Sequence, residues 1–173
     1  KRQEMVDKVL LGYGQIGNDH SISPTQKYFN TDLAQREFDA ERARYHWGKT
    51  GIGDKPIVVH ASDASLDGSV DVALLLQASA KECGINIEVK KMPNDGYWSN
   101  VWNKPGIGVS TSYWSGRPTP DWMFSTCCSE ASEWNDMAWK DTPAADAFNA
   151  LLQGAKGELD DKKSCLLYTS DAA

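Results

Sequence analysis

Pro56-Ile57-Val58-Val59-His60-Ala61-Ser62 is dense in β-branched residues and reads as a strand. The text after it changes period. From about Ser69 to Cys83, Val72, Leu75, Leu76 and Ser79 fall on one side of a helix, and Gly84 closes it. Ile85-Asn86-Ile87-Glu88-Val89 returns to strand alternation. A short helix around Tyr97 to Asn103 and a strand around Ile107 to Tyr113 complete a strand–helix–strand–helix–strand order. That order predicts an α/β fold: a βαβαβ layer with right-handed crossovers, joined by additional helices.

Outward from this centre, Asp39 reads as the N-cap of a helix over Ala40 to Lys49, stopped by Gly51, with Ala43 and Trp47 as its inward stripe. Lys1 to Leu11 carries Met5, Val9 and Leu10 at helical spacing without a cap in front of them, so it reads as the middle of a helix. Beyond the third strand, Thr119 to Lys163 reads as loops and helices, including Ala144 to Ala155, with Asp121 as N-cap of a Trp122-Met123-Phe124 turn. The final run, 164–173, resembles vector read-through and is set aside as a non-native tail. The expected division is a helical and loop segment over 1–55, an incomplete α/β ligand-binding lobe over 56–163, and that tail.

Composition narrows the function. The 173 residues are 40% hydrophobic and 24% charged, close to globular averages, which argues against disorder and fibrous repeats. Lys and Arg number 18 against 24 acidic residues, a net charge of −6, which disfavours nucleic acid as a partner. The longest apolar runs, such as Val72 to Leu76, are far too short to span a bilayer. The histidines, at positions 20, 46 and 60, fall in three different elements, and Cys83, Cys127, Cys128 and Cys165 form no Cys-x-x-Cys pair, so no metal or other cofactor is expected. Adjacent cysteines rarely bond to each other, and a disulfide from Cys127 or Cys128 to chain outside this sequence stays open. No Gly-x-Ser-x-Gly elbow, Walker loop or His-Glu-x-x-His is present, and Gly12 to Gly17 fits dinucleotide spacing but follows a helix instead of a strand. Asp63, Asp67 and Asp71 read as loop solvation and as favourable charge near a helix start.

The informative feature is aromatic. Six of the seven tryptophans lie between Trp98 and Trp139, interleaved with Tyr97, Tyr113, Asn100, Arg117 and several Gly and Pro. Rigid flat rings with a few orienting polar groups suit a recognition surface. Tyr113-Trp114-Ser115-Gly116-Arg117-Pro118 sits where a strand runs out, and ligands of open α/β sheets bind at the carboxyl ends of strands. Trp114 reads as an aromatic wall. Arg117 reads as a carboxylate-holding fork. Tyr113, Trp98 and Asn100 are further candidates, while Trp122, Trp134 and Trp139 read as cover for helices.

The order of segments resembles the C-terminal half of family 5 of the extracytoplasmic solute-binding proteins, the peptide/nickel type serving ABC transporters. The resemblance rests on Val6 to Gly14, the Pro24 loop and Phe38 to Ala43. It continues through Leu75-Leu76-Gln77 with Gly84 to Val89, then Tyr113 to Gly116 followed by Pro120 to Phe124, and finally Phe148 to Leu152 and Glu158 to Lys163. It implies part of one lobe of a periplasmic-binding-protein type II clamshell, which binds a peptide or related small solute between two lobes, delivers it to a membrane permease and catalyses nothing. It also implies a monomer in the periplasm, or one held outside the membrane by a lipid anchor. His60, Ser62 and Asp63, at the end of the first strand, would face the same cleft. In peptide-binding members an acidic residue shortly after the strand-end Trp holds the peptide amine. Here that neighbourhood carries Arg117, which suits a carboxylate or other anion. An α/β hydrolase, and a chemosensory or chaperone use of the same clamshell, are the alternatives.

Overall fold

A computed structural model of the chain describes residues 1–19, 21–160, 162–164 and 167; His20, Cys165 and most of the expected tail lie outside the described residues. The chain divides into two compact units: Lys1–Ile16 with Arg36–Trp114, and Gly17–Gln35 with Ser115–Ala173. This division cuts across the expected boundaries, since residues 36–55 group with the strands.

The first unit is built on β1 (Ile57–Ala61), β2 (Ile87–Lys91) and β3 (Val109–Ser110), with helices α1 (Arg2–Lys8), α2 (Ala40–Thr50), α3 (Ser69–Glu82) and α4 (Tyr97–Asn100). All pairings are parallel, in the order β2-β1-β3, with Val59 opposite both Val89 and Val109. A central strand in a parallel sheet is covered on both faces, which is why β1 is an unbroken run of Ile, Val, His and Ala. Val59, Ala61 and Ala73 form the core, flanked by Ile57, Val70, Ile87 and Val89.

Helix α3 differs from its expected stripe. Its buried residues are Ser69, Ala73, Ser79 and Ala80, whereas Leu76 is 41% exposed. Small side chains on that face let the helix backbone lie close to the sheet. The N-cap of the helix is Gly68, whose φ of +83° is a conformation costly for other residues; a Cβ there would also run into Val9, the C-cap of α1.

Two strands are displaced from expectation. Strand β2 begins at Ile87 because the Ile85 N–H donates to Ala80 O at 2.9 Å, closing α3. Its last residues, Lys90 and Lys91, still pair with His60 and Ala61. Strand β3 is shorter than the Ile107 to Tyr113 reading. The Ile107 N–H is used in a turn to Lys104 O, and the Thr111 N–H makes the last rung to His60 O at 2.9 Å. Helix α2 forms as expected: Asp39 accepts from the Arg42 N–H at 2.9 Å, Gly51 ends it in the left-handed region, and Ala43 and Trp47 are half-buried.

The second unit is helical. Helix α5 (Pro120–Cys127) packs on α6 (Pro143–Gly157) through Phe124 and Phe148, ring centroids 5.9 Å apart, with Met123, Ala145, Leu152 and Ala155 buried. The N-cap of α5 is Thr119, not Asp121. Pro120 takes the first helical position, where its missing N–H costs nothing, and Asp121 moves into the first turn, where its charge favours the helix dipole. Trp139 stacks at a tilt on Phe148 at 5.2 Å and donates its indole N–H to Cys128 O at 2.7 Å, so it covers these helices as expected. Trp122 and Trp134 instead remain about half exposed, at 53% and 52%.

Candidate functional site

The connection from β1 through α3 leads to β2 on one side of β1, whereas β3 adds on the other. Reversal of this kind opens a crevice beyond the carboxyl ends of the two strands that part company, here β1 and β3. The residues at those ends are Ser62 and Asp63 after β1, and Thr111 to Trp114 after β3.

A polar lattice joins these strand ends. The Tyr97 hydroxyl, on a side chain only 1% exposed, donates to Thr111 O at 2.6 Å and stands 3.1 Å from Thr111 Oγ1 and 3.3 Å from His60 O. Thr111 Oγ1 also accepts from the Ser62 N–H at 3.3 Å and lies 2.9 Å from Ser65 Oγ. Ser62 Oγ donates to Asn94 Oδ1 at 2.8 Å and accepts from the Ala64 N–H at 3.2 Å. Ser65 Oγ in turn contacts Ser62 O at 2.7 Å and Ser69 Oγ at 2.8 Å. Buried hydroxyls satisfied this fully fix the strand ends in one arrangement.

A chain of rings continues from Tyr97. Tyr97 meets Trp98 edge to face at 5.6 Å; Trp98 meets Trp102 at 5.5 Å and Tyr113 at 5.8 Å; Trp102 meets Trp114 at 6.2 Å. Each pair is T-shaped, the arrangement that ring quadrupoles favour. The outer members are not sealed: Trp98 is 37% and Tyr113 55% exposed, and Trp114 is half-buried.

The candidates therefore separate. Trp98, Tyr113 and Trp114 come together as one surface, with the exposed Asn100 on the same short helix as Trp98. His60, 8% exposed, has Nδ1 3.3 Å from Val109 O, and Ser62 is fully buried with its oxygen engaged inside. Both support the crevice floor. Asp63 accepts from the Val70 N–H at 3.2 Å, acting as a remote cap on α3. Arg117 belongs to the second unit. There its guanidinium donates to Ser115 O at 2.8 Å and Ser115 Oγ at 3.0 Å, while Gln26 holds its carbonyl at 2.9 Å. The sequence reading missed Trp102, the link between Trp98 and Trp114; its spacing of four from Trp98 was the available signal. It also missed Thr111 as the hub of the lattice. A separate groove of about 590 Å³, lined among others by Leu74, Gln77, Lys81 and Ile85, lies at the opposite, amino end of β2.

Among the described residues no group of three or more His, Cys, Asp or Glu could hold a metal ion, and no helix is long and apolar enough to cross a membrane. Comparison with curated proteins returns no match. The family model for bacterial extracellular solute-binding proteins, family 5 (middle), matches residues 1–135. Among solved structures, the chain is similar to the ABC-transporter substrate-binding protein CtaP of Listeria monocytogenes, at 19% identity and TM-score 0.76, over 97% of this chain and 34% of that one. It is similar to DppA of Helicobacter pylori, a periplasmic binding protein solved with the peptide STSA, at 19% identity and TM-score 0.77, over 97% and 32%. It is also similar to NikZ of Campylobacter jejuni, solved with Ni(L-His), at 15% identity and TM-score 0.73, over 99% and 36%. The chain thus spans about a third of the length of these structures, and its fold is theirs, that of the type II periplasmic binding proteins.

Proposed function

The chain belongs to family 5 of the bacterial extracellular solute-binding proteins, and from that premise we propose that it supplies one face of the solute cleft in the binding component of an ABC importer. The ligand is a peptide or related small solute, and the partner that receives it is a membrane permease. The protein works outside the cytoplasm as a monomer and carries out no chemistry on its cargo. The observation that carries this reading is the open aromatic surface of Trp98, Tyr113 and Trp114 above a fully bonded floor at the switch point of a parallel sheet.

The mechanism is differential binding. Rings already locked by edge-to-face contacts lose little freedom when a solute packs on them, so most of the burial energy remains available for affinity. A second lobe, from the rest of the protein, closes over the solute and removes water. The closed state gains contacts that the open state lacks, which shifts the hinge equilibrium toward closure. Arg117 is the ion-pairing residue of this reading, directed at a carboxylate or other anionic group.

The experiment is a thermal-shift screen of the full-length protein against short peptides and histidine-bound nickel, with product analysis of every stabilising compound. A raised melting temperature with the compound recovered intact supports an import receptor. Cleavage of the compound would instead indicate a hydrolase.

A further inference from the structure

Cys127 is the last residue of α5 and Cys128 is its C-cap. Both side chains are buried, at 3% and 2% exposure, with their sulfurs 3.1 Å apart. The backbone on either side is pinned. Cys127 O accepts from the Asp136 N–H at 2.8 Å, the Cys128 N–H donates to Phe124 O at 3.0 Å, and Cys128 O accepts from the Trp139 indole at 2.7 Å. Cys83 belongs to the other unit and spends its thiol on Ser79 O at 3.4 Å. We infer that Cys127 and Cys128 bond to each other, forming a vicinal disulfide ring that locks the end of α5.

A disulfide bond is about 2.05 Å, so the sulfurs need to approach by about 1 Å, within an eight-membered ring whose Cα atoms, about 3.8 Å apart across a trans peptide, stand closer than in ordinary disulfides. Their chemistry is asymmetric. The hydrogen bond from Cys128 holds the Cys127 thiol below its ordinary pKa against the opposing effects of burial and the Asp136 charge, while that same bond and burial push Cys128 far up. Cys127 is therefore the attacking thiolate. The oxidant is a small-molecule disulfide of the glutathione class. The Cys127 thiolate attacks one of its sulfurs and expels one thiolate, leaving a mixed disulfide. Cys128 passes its proton to that thiolate and attacks the Cys127 sulfur, expelling the second thiolate, which takes up the proton Cys127 had lost. Two protein thiols are oxidised and one disulfide is reduced to two thiols. Because the folded pair is buried, the exchange runs while the chain folds.

The test supplies the oxidant itself, so its outcome is independent of solute binding. The chain is refolded with glutathione disulfide or with a dithiol reductant, then unfolded, treated with iodoacetamide without reduction, and digested. After oxidative refolding the peptide containing both cysteines should be two hydrogens lighter than the dithiol and carry no alkyl label, gaining two labels only after reduction. A C83A/C165A variant should give the same peptide. Two labels after oxidative refolding, retained glutathione, or a cross-link from Cys127 or Cys128 to Cys83 or Cys165 would overturn the inference.

Discussion

Replacing Tyr97 by Phe removes one oxygen and leaves the ring that packs on Trp98. In the wild-type chain that hydroxyl, 1% exposed with its side chain, ties α4 to the carboxyl end of β3 through a 2.6 Å bond to Thr111 O and stands 3.3 Å from His60 O of β1. Loss of a buried donor from a satisfied acceptor costs about 1–2 kcal/mol. In urea this should lower the midpoint by about 0.5–1 M, and in a thermal melt by roughly 3–6 °C. Hydrogen exchange locates the effect. The Thr111 N–H, bonded to His60 O at 2.9 Å, should lose protection before the amides of the β1–β2 ladder do. Tyr113→Phe is the control, since its ring is 55% exposed, and should change stability by less than about 0.5 kcal/mol. Equal stability of Tyr97→Phe and wild type, with unchanged exchange at Thr111, would refute the view that this hydroxyl fixes the crevice floor.

Asp63→Ala removes the carboxylate that accepts from the Val70 N–H at 3.2 Å, and should cost about 1 kcal/mol, read from the helical signal on urea titration. Gly68→Ala should cost more, at least about 1–2 kcal/mol for the left-handed backbone, with the contact to Val9 added; a truncating Val9→Ala in the same chain should recover part of the loss. Arg117→Ala in the full-length protein should weaken carboxylate-bearing ligands by about tenfold or more, while ligands with a blocked carboxylate change little, as calorimetry would show.

Much of this was legible in sequence because periodicity and caps are local signals. The β-branched run of β1, the Asp39 cap and the Gly51 stop were each written within a few residues. What escaped depended on hydrogen bonds made at a distance or on competition between neighbours. Ile85 alternates like a strand residue, yet its N–H closes α3, so β2 starts later. Leu76 has the hydropathy of a core residue, but Ala73 and Ala80 let the helix approach the sheet and leave Leu76 on the outside. Asp121 is a good N-cap type, and Pro120 at the first helical position displaces it. At the candidate site, tryptophan content drew attention to this region, and T-shaped contacts bring Trp98, Tyr113 and Trp114 together there. His60 and Ser62 lie at the strand end but are buried, because a strand end supplies inward-facing side chains as well as outward-facing ones. No composition signal separates the two.

The most direct measurement of the aromatic surface's role is ligand affinity of the full-length protein after single ring deletions, with a peptide taken from the thermal-shift screen. Trp114→Ala and Trp98→Ala should each weaken binding by about tenfold or more, the equivalent of losing one packed aromatic face, roughly 1.5–3 kcal/mol. Trp122→Ala, which removes a ring from α5 that is 53% exposed, should leave affinity unchanged. Wild-type affinity in the first two variants, with their folds intact by circular dichroism, would contradict the account.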